Sequence, residues 1–272
     1  MGRIIGITAS SILKTQSGVI VSDADAQLFV DNVGITLQLQ GDAINNLVIS
    51  LKADLIWNKL IVINPKVGGT AARHKFNLKN PLDTNAGYRY TYGGTWIHSG
   101  DGAKPNGINA YANTYFNPVA LGLSSNLSFG FYLTISNSLF GDKHSFGSYS
   151  SGTNWIGLQH NTSTQLLGAG YDASANSPLT ITSPNNGFFA MSINGTVKKT
   201  YHKNSVGTFT VGGSAPANIN FYEGALNVNN SYYNGINGTY GCSFIGQGLT
   251  DTEMANLQTA IITFETALGR NV

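Results

Sequence analysis

Short apolar and aromatic runs dominate the middle of the chain, from residue 68 to residue 248. Clusters of Gly, Asn, Asp, Ser or Pro interrupt these runs at intervals of roughly eight to twelve residues, a spacing typical of the strands and turns of a sandwich or barrel. The clearest local prediction is a hairpin at Asn194-Gly195, because this dipeptide supplies the positive φ angles of a two-residue turn. The predicted strands include residues 88–97, 108–116, 127–135, 155–160, 187–193 and 219–222.

Helical periodicity appears only near the two ends of the chain. A cap at Ser22 and early acidic residues predict a short helix over 22–33 that ends near Gly34. Apolar residues at spacings of three and four then predict an amphipathic helix over 42–60. Near the C-terminus, Thr250 and Glu253 have the spacing of a capping box, and the apolar face that follows predicts a helix over 250–268.

Together these patterns predict a mainly β protein, a jelly-roll sandwich with a helical segment before it and a helix after it. We divide the chain into an extended arm (1–21), a helical segment for attachment or oligomerisation (22–66) and a sandwich domain that includes the last helix (67–272).

Composition and charge exclude several classes of protein. Charged residues make up 10% of the chain and the net charge is +2, so no concentrated cationic surface for nucleic acid is expected. The single cysteine, Cys242, cannot form an internal disulfide, and no Cys or His residues have the spacing of a metal site. We therefore expect no cofactor or metal. Neither a secretory signal nor a membrane-spanning run of about 18 apolar residues is evident. We therefore predict a protein without a membrane partner that stays in a soluble compartment where it is made, or leaves the cell without a Sec signal.

Catalytic residue sets are not evident either. A retaining glycosidase needs two carboxylates about 5 Å apart. Of the three glutamates, Glu253 and Glu265 fall in the predicted C-terminal helix and Glu223 stands alone. The five histidines are scattered, and no Gly-x-Ser-x-Gly elbow leads into a helix. We therefore predict a protein that is not an enzyme.

Aromatic residues with neutral polar neighbours are the one suggestive chemical feature. Sugar sites combine a stacking ring with amide side chains and backbone amides, whereas tyrosine is also common in strands for packing alone. Both interpretations stay open for each ring. The candidate glycan-binding residues are Trp96, Asn109, Tyr111, Tyr115, Tyr232 and Tyr233.

The N-terminal 66 residues offer two candidate interaction surfaces. The predicted helix has more apolar positions than docking on one sandwich face requires, which favours a homo-oligomer, and analogy with fibres and spikes favours a trimer. The arm suits addition to the sheet edge of a neighbouring protein, although it is equally an ordinary first strand. The candidate oligomer residues are Leu47, Leu51, Leu55 and Trp57, and the candidate arm residues are Arg3, Ile4, Ile5 and Ile7.

Two sets of segments carry a resemblance to known families. Residues 187–201, 244–246 and 249–254 resemble the closing part of laminin-G-like, concanavalin A-like jelly rolls, in which a last strand passes into a short helix with an acidic cap. The second resemblance is to virion proteins of tailed phages infecting Bacteroidetes, including crAss-like phages. It rests on Asn45-Asn46-Leu47, Ala53 to Leu60, Pro65 to Thr70, His74 to Lys79, Gly107 to Ala112 and Phe264 to Val272.

The resemblance covers residues 40–272 and implies a lectin-like, concanavalin A-like domain displayed on a particle. It carries no catalytic, calcium or sugar ligands over to this chain. We therefore expect a non-enzymatic virion surface protein, made in the host cytoplasm, that acts as a head fibre, decoration or spike subunit with capsid or tail proteins as partners. The alternative is a carbohydrate-binding module that recognises a host surface glycan.

Overall fold

The computed structural model describes residues 18–137, 143–151, 154–162, 165–170, 172–180, 186–210 and 216–272. Within them, two mainly antiparallel sheets enclose a common core, and the longer helices pack against the outside of one sheet. This architecture confirms the predicted mainly β sandwich with helices before and after it. The candidate arm residues Arg3, Ile4, Ile5 and Ile7 lie outside the described residues.

Regular elements are numbered in chain order. The helices are α1 (Ala24–Val33), α2 (Gln38–Ala53), α3 (Ala71–His74) and α4 (Asp251–Ala267). The strands are β1 (Leu60–Asn64), β2 (Thr91–Gly93), β3 (Trp96–Ser99), β4 (Gly102–Pro105), β5 (Tyr111–Asn113), β6 (Asn126–Asn137), β7 (Lys143–Tyr149), β8 (Trp155–Thr162), β9 (Gln165–Gly170), β10 (Asp172–Thr180), β11 (Gly187–Asn194), β12 (Val197–His202), β13 (Ser205–Thr210), β14 (Tyr222–Glu223), β15 (Leu226–Val228), β16 (Ser231–Tyr233) and β17 (Asn237–Gly246).

The strand order mixes local hairpins with long-range pairings. The first sheet has the order β13–β12–β11–β6–β17–β4–β3, and β1 pairs with β17. The second sheet has the order β10–β9–β8–β7–β14–β5–β2. The hairpin β15–β16 joins the second sheet through a parallel pairing of β15 with β7. Because β6 lies between β11 and β17, its neighbours come from much later in the chain.

Side chains of alternating direction build two hydrophobic clusters. Between the sheets, Phe129, Phe146 and Phe189 are fully buried, and the Phe129 and Phe146 rings meet edge to face at 5.6 Å. On the outside of the first sheet, Phe188 and Phe244 stack at 5.9 Å and share a cluster with α1, α2 and α4. Burying each such ring contributes about 1.5–3 kcal/mol.

Two local predictions are confirmed in detail. The Asn194-Gly195 turn joins β11 to β12, and Gly195 has the positive φ of 62° that the turn requires. At the start of α4, the Thr250 hydroxyl accepts from the Glu253 amide at 3.3 Å, while the Glu253 carboxylate accepts from the Thr250 amide at 2.9 Å. This reciprocal pair is the predicted capping box.

The prediction for the second helix is wrong at both ends. The sequence pattern predicted one helix over 42–60, but α2 begins at Gln38 and ends at Ala53. Leu55 follows in the left-handed region with φ 60°, which stops the helix. The apolar run from Leu60 then forms β1 and pairs with β17. A short apolar run fits a buried strand as well as a helix, so its periodicity alone does not decide between them.

The predicted cap of the first helix is shifted by one residue. Asp23, not Ser22, is the N-cap, and its carboxylate accepts from the amides of Asp25 at 2.9 Å and Ala26 at 3.3 Å. The Asp23 carboxylate also binds Lys52 on α2 at 2.7 Å. Burial opposes ionisation of Asp23, yet these hydrogen bonds hold its pKa below the usual range. The helix ends at Gly34, as predicted.

Candidate functional site

The two outer faces of the sandwich differ in what covers them. The outer face of the first sheet shares a buried cluster with α1, α2 and α4. Among the described residues, the helices pack on this sheet or on one another. The outer side of the second sheet therefore lies away from the helices. We call it the open face, and a row of paired residues at one end of it runs through Thr91, Asn113 and Tyr222.

Cross-strand register shows which side chains point outward there. Thr91 pairs with Asn113, Asn113 with Tyr222, and Tyr222 with Gly147. Residues directly opposite one another in antiparallel strands share a face. Phe146, the residue before Gly147, belongs to the core between the sheets, so the row of Thr91, Asn113 and Tyr222 lies on the outer side.

Two tyrosines on the open face support each other. The rings of Tyr111 and Tyr222 stack with centroids 4.4 Å apart and planes 15° apart. Gly93 lies beneath Tyr111, where a Cβ would come within 2.6 Å of the ring. The Tyr222 hydroxyl donates to the Asn230 carbonyl at 3.3 Å. Both faces of the Tyr111 ring are thus in contact with protein, which leaves its edge for a ligand.

Tyr115 is held in an unusual backbone conformation beside this pair. Its φ is 56°, in the left-handed region that costs a residue with a Cβ about 1–2 kcal/mol. The Asn113 side-chain oxygen accepts from the Tyr115 amide at 2.9 Å, and the Thr91 hydroxyl donates to the Tyr115 hydroxyl at 3.1 Å. Burial, together with the phenols of Tyr111 and Tyr115, raises the pKa of Tyr222. The phenol groups of Tyr111 and Tyr115 therefore both lie close to that of Tyr222.

Tyr233 is the most exposed aromatic ring of the described residues, with 46% of its surface accessible. Its ring lies 5.5 Å from His144, which in turn contacts Trp155 edge to face at 5.7 Å. Beside it, the Lys143 ammonium donates to the Asn234 side-chain oxygen at 2.8 Å. We call these five residues the Tyr233 cluster. It joins the hairpin β15–β16 to β7 and β8.

The three other predicted glycan residues, Trp96, Tyr232 and Asn109, do not adjoin the Tyr111 and Tyr222 rings as a free aromatic surface. The Trp96 indole N–H donates to the Tyr111 carbonyl at 3.3 Å, and its six-membered ring lies 3.0 Å from where a Cβ on Gly224 would stand. The Tyr232 hydroxyl accepts from the Gly235 amide at 2.7 Å. Asn109 is exposed at a turn. Trp96 thus supports the sheet beneath Tyr111 but does not present a free ring face.

Several residues of this surface carry no signal in the sequence. Tyr222 lies in a two-residue strand, and His144 and Trp155 are separated from Tyr233 by some 80 to 90 residues of chain. Only strand pairing brings them together. The pattern of Tyr and Asn singled out Tyr232 and Tyr233 but could not identify the residues that pack beside them.

The candidate oligomer residues lie mostly within the chain's own core. Leu47, Leu51 and Trp57 are buried in the cluster beneath α4. Leu55 is 78% exposed. The homo-oligomer stays a prediction, and Leu55 is the one of the four side chains that is available to a second copy.

Metal ligands do not gather within the described ranges, where no three His, Cys, Asp or Glu side chains come together. His74 and His98 form a pair with their Nδ1 atoms 3.0 Å apart. Burial, with a contribution from the Lys66 charge, lowers the pKa of His74 to about 3 and that of His98 to about 4. That positive charge also disfavours a cation there. In the same described ranges, no helix is long and apolar enough to cross a membrane.

No model of a known protein family matches the chain, and no curated protein matches it in sequence. Solved structures do resemble it. Domain 4 of AbnA, an extracellular arabinanase from Geobacillus stearothermophilus, in complex with arabinotriose, has a TM-score of 0.49 and 18% identity over 74% of this chain and 98% of that one. The CBM40 of the Ruminococcus gnavus IT-sialidase has a TM-score of 0.41 and 9% identity over 52% and 86%.

A third structure is the binding domain of botulinum neurotoxin DC in complex with rat synaptotagmin II. It has a TM-score of 0.46 and 12% identity over 76% of this chain and 52% of that chain. At these identities the likeness concerns the fold alone and assigns no ligand to this chain. The β-sandwich agrees with the predicted fold, whereas the affiliation with tailed phages stays a prediction.

Proposed function

We propose that the open face binds carbohydrate and that the Tyr233 ring is the stacking platform. The observation that carries this proposal is the exposure of Tyr233, 46%, in a ring that His144 supports from the protein side. Sugar rings pack their C–H groups against aromatic faces, and their hydroxyls need neutral donors and acceptors nearby. By contrast, Tyr240 and Tyr90 are core tyrosines with at most 1% of their surface exposed.

Neutral amide groups adjoin the platform. The turn between β15 and β16 exposes Asn229 and Asn230, with left-handed φ angles of 51° and 67°, and Ser231 at the start of β16 is exposed as well. Asn234 follows Tyr233 and accepts from Lys143 at 2.8 Å. An asparagine amide offers both donors and acceptors, which suits the hydroxyl groups of a sugar. These side chains supply hydrogen bonds around the ring without concentrating charge.

Binding without cleavage is the second part of the proposal. Glu223 is paired with Lys66 at 2.8 Å and Glu265 with Arg270 at 2.7 Å, both inside the protein. Glu253 serves as the capping residue of α4. The three glutamates are thus engaged in structural contacts, which supports a binding protein over a glycosidase that needs two free carboxylates.

Substitution of Tyr233 tests the platform. Full-length protein is screened on a glycan array, and the strongest ligand is titrated by calorimetry. Tyr233→Ala removes the ring, and with it about 0.5–1.5 kcal/mol of stacking, so we expect the dissociation constant to rise by roughly three- to tenfold. Tyr233→Phe keeps the ring and should bind within about twofold of the original protein.

The matched control is Leu39→Ala, which truncates a side chain of comparable exposure on α2, away from the open face. It should leave affinity unchanged. Equal affinity of Tyr233→Ala and the original protein would place the ligand elsewhere. If no glycan bound at all, the carbohydrate proposal itself would fail.

The location on a virion surface is a separate proposal that rests on the sequence resemblance over residues 40–272. It supposes that the helical side attaches to capsid or tail proteins and that the open face points to solvent. A mass-spectrometric inventory of purified particles should contain this chain, and its absence would remove the proposal. Light scattering of the full chain tests the homo-oligomer, which a monomeric mass would reject.

A further inference from the structure

Two groups of aromatic side chains lie on the open face. The first is the stacked pair of Tyr111 and Tyr222 with Tyr115 beside it, and the second is the Tyr233 cluster. Tyr111, Tyr115 and the neighbouring Asn113 are partly exposed, and Tyr233 is 46% exposed. Both groups thus present side chains to solvent.

The turn between β15 and β16 joins the two groups. The Tyr222 hydroxyl donates to the carbonyl oxygen of Asn230 in this turn at 3.3 Å. Tyr233 follows Asn230 by three positions, along β16. At about 3.3 Å per residue, three positions of a strand span about 10 Å. The two aromatic groups are therefore the two ends of one continuous surface.

A similar distance separates Tyr222 from the far end of this surface. Thr91, Asn113 and Tyr222 are cross-strand partners on three neighbouring strands. Neighbouring strands lie about 4.8 Å apart, so the backbone of Thr91 is about 10 Å from that of Tyr222. The Thr91 hydroxyl donates to the Tyr115 hydroxyl at 3.1 Å, which places the Tyr115 phenol at this end. From Tyr115 to Tyr233 the surface is therefore much longer than a single sugar ring.

A buried asparagine fixes the turn in the middle of the surface. Asn227 is fully buried, and its side-chain nitrogen donates to the Asn220 carbonyl at 2.7 Å. Its side-chain oxygen accepts from the Asn230 amide at 2.7 Å, and the Asn229 amide donates to the Tyr149 carbonyl at 3.2 Å. These contacts use main-chain groups of the turn. The exposed side-chain amides of Asn229 and Asn230 have no hydrogen bond to another described residue and are available to a ligand.

Polar groups at the Tyr115 end are available in the same way. The Asn113 side-chain oxygen accepts from the Tyr115 amide at 2.9 Å, while its side-chain nitrogen is unpaired within the described ranges. The Tyr115 hydroxyl accepts from Thr91, which leaves its own O–H group to donate. Asn113 and Tyr115 thus offer neutral hydrogen-bond donors at this end.

The strands that connect the two ends carry no exposed charge. β2, β5, β14, β15 and β16 contain one acidic residue, Glu223, and no Lys, Arg or His. Glu223 is fully buried against Lys66. Lys143, which binds Asn234, pairs in register with His160, whose ring contacts the core between the sheets. Since opposed residues share a face, Lys143 leaves β7 on the side away from the open face.

We propose that the ligand of the open face is a neutral oligosaccharide of several units, an inference that rests on the carbohydrate binding already proposed and names its class of ligand. The chain is bound along its length. One unit packs on the Tyr233 ring, and the next units bond to the amides of Asn229 and Asn230. A further unit bonds to Asn113 and to the Tyr115 hydroxyl. Sugar hydroxyls donate and accept as amides do, whereas a carboxylate or sulfate group would meet no cation along this path.

Calorimetric titration of the full-length protein with chains of increasing length tests this ligand class. The probes are chains of one to six units of α-1,4-glucose, β-1,4-glucose and β-1,4-mannose, together with any neutral chain that the glycan array identifies. At least one series should bind, and its dissociation constant should fall at least tenfold between one unit and four and then level off.

The charge of the ligand is tested on the strongest of the three hexose chains. The same chain, oxidised at its primary alcohols to carboxylates, should bind at least tenfold more weakly. The dissociation constant of the neutral chain should be unchanged between low and high salt, because no exposed ion pair forms on binding.

Variants at the two ends separate the length of the site from binding itself. Tyr115→Ala removes the far end, so the dissociation constant of the four-unit chain should rise about three- to tenfold, while that of a single unit stays unchanged. Tyr233→Ala should weaken short and long chains alike. If Tyr115→Ala does not fold, Tyr115→Phe, which removes only the hydroxyl, should give a smaller loss of the same pattern. Leu39→Ala is the surface control and should change neither.

The outcomes distinguish this inference from the proposed function. A dissociation constant that does not depend on chain length, or a four-unit chain that binds the Tyr115 variants as tightly as the original protein, would overturn the extended site and leave carbohydrate binding intact. Tighter binding of the oxidised chain would overturn the neutral character of the ligand. If no glycan bound at all, the proposed function would fail together with this inference.

Discussion

At the residue scale, the most unusual contact is an ion pair in the core between the sheets. Lys66 and Glu223 are fully buried, with nitrogen and oxygen 2.8 Å apart. The Lys66 ammonium also donates to the Ser243 hydroxyl at 2.9 Å and lies 5.2 Å and 5.6 Å from the ring centroids of Tyr90 and Tyr240. Removing two charges from water costs several kcal/mol per ion, which only such close hydrogen bonds and ring contacts offset.

Breaking this pair should therefore be more damaging than replacing it. Glu223→Gln leaves the ammonium buried without a counter-charge, and we expect the free energy of unfolding, measured by urea denaturation, to fall by about 3–5 kcal/mol. The double substitution Lys66→Met with Glu223→Leu should recover most of that loss. Lys75→Ala, at the exposed pair with Asp83, is the control and should cost less than about 1 kcal/mol. If Glu223→Gln lowered the free energy of unfolding no more than Lys75→Ala does, the buried ammonium would not need its counter-charge, and this prediction would be wrong.

At the element scale, α4 closes the helical side of the molecule. Met254, Leu257, Ile261 and Phe264 are at most 2% exposed and pack in the cluster with α1, α2 and the first sheet. Burying each contributes about 1.5–3 kcal/mol, so together they rival the net stability of a domain. The helix is thus part of the fold, and the first sheet would expose an apolar face without it.

Two changes in α4 separate packing from capping. Deletion of residues 251–272 should give insoluble protein, because the apolar outer face of the first sheet is uncovered. Thr250→Ala removes only the capping hydroxyl, and we expect unfolding experiments to show a loss of about 1 kcal/mol. Thr259→Ala, at an exposed position within the helix, is the matched control and should cost a few tenths at most. A soluble truncated chain with an unchanged melting temperature would assign α4 to a partner interface instead.

Elements with a local signal could be predicted from the sequence, whereas elements made by pairing could not. The capping box of α4 and the Asn194-Gly195 turn each depend on residues within a few positions of one another. β1 was assigned to a helix because its identity depends on pairing with β17, about 180 residues later. β14 has two residues and exists only between β5 and β7.

The same limit applies to the candidate site and to the buried charges. Tyr233 could be identified from the Tyr and Asn pattern, but the ring that supports it, His144, comes from another strand. Glu223 stood alone in the sequence because its partner, Lys66, is 157 positions away. Polar residues on one strand, such as Thr200 and His202, read as ordinary alternation until register shows that they point inward.

At the scale of the whole molecule, each layer has a different chemical character. Helices cover one sheet, tyrosines and amides line the outer side of the other, and basic side chains lie between the sheets. Buried or half-buried histidines occur in two regions of the interior: His74 and His98 near Lys66, and His160 on β8 with His202 on β12. Their number makes the stability of the molecule sensitive to acid.

The buried histidines predict that stability falls as the pH drops from about 6.5 to 4.5. Burial lowers their folded pKa values to about 3 for His74 and His160 and about 4 for His98 and His202, whereas the unfolded value is about 6.5. In this window the unfolded chain binds more protons, so acid favours unfolding by up to about 1.4 kcal/mol per pH unit for each fully buried imidazole. Glu265 has the opposite effect on stability. Burial raises its folded pKa to about 7, so in this window the folded chain binds one proton at Glu265 that the unfolded chain does not.

The substitution His160→Phe isolates one of these contributions. Phenylalanine fills the place of the imidazole beside Phe189 and cannot take up a proton. Urea denaturation at pH 7.0, 6.0, 5.0 and 4.5 gives the slope of unfolding free energy against pH. Below pH 6 the variant should lose about 1.4 kcal/mol less per pH unit than the original protein. Identical slopes would mean that His160 reaches water before the chain unfolds, and the interior position of its ring would then have to be given up.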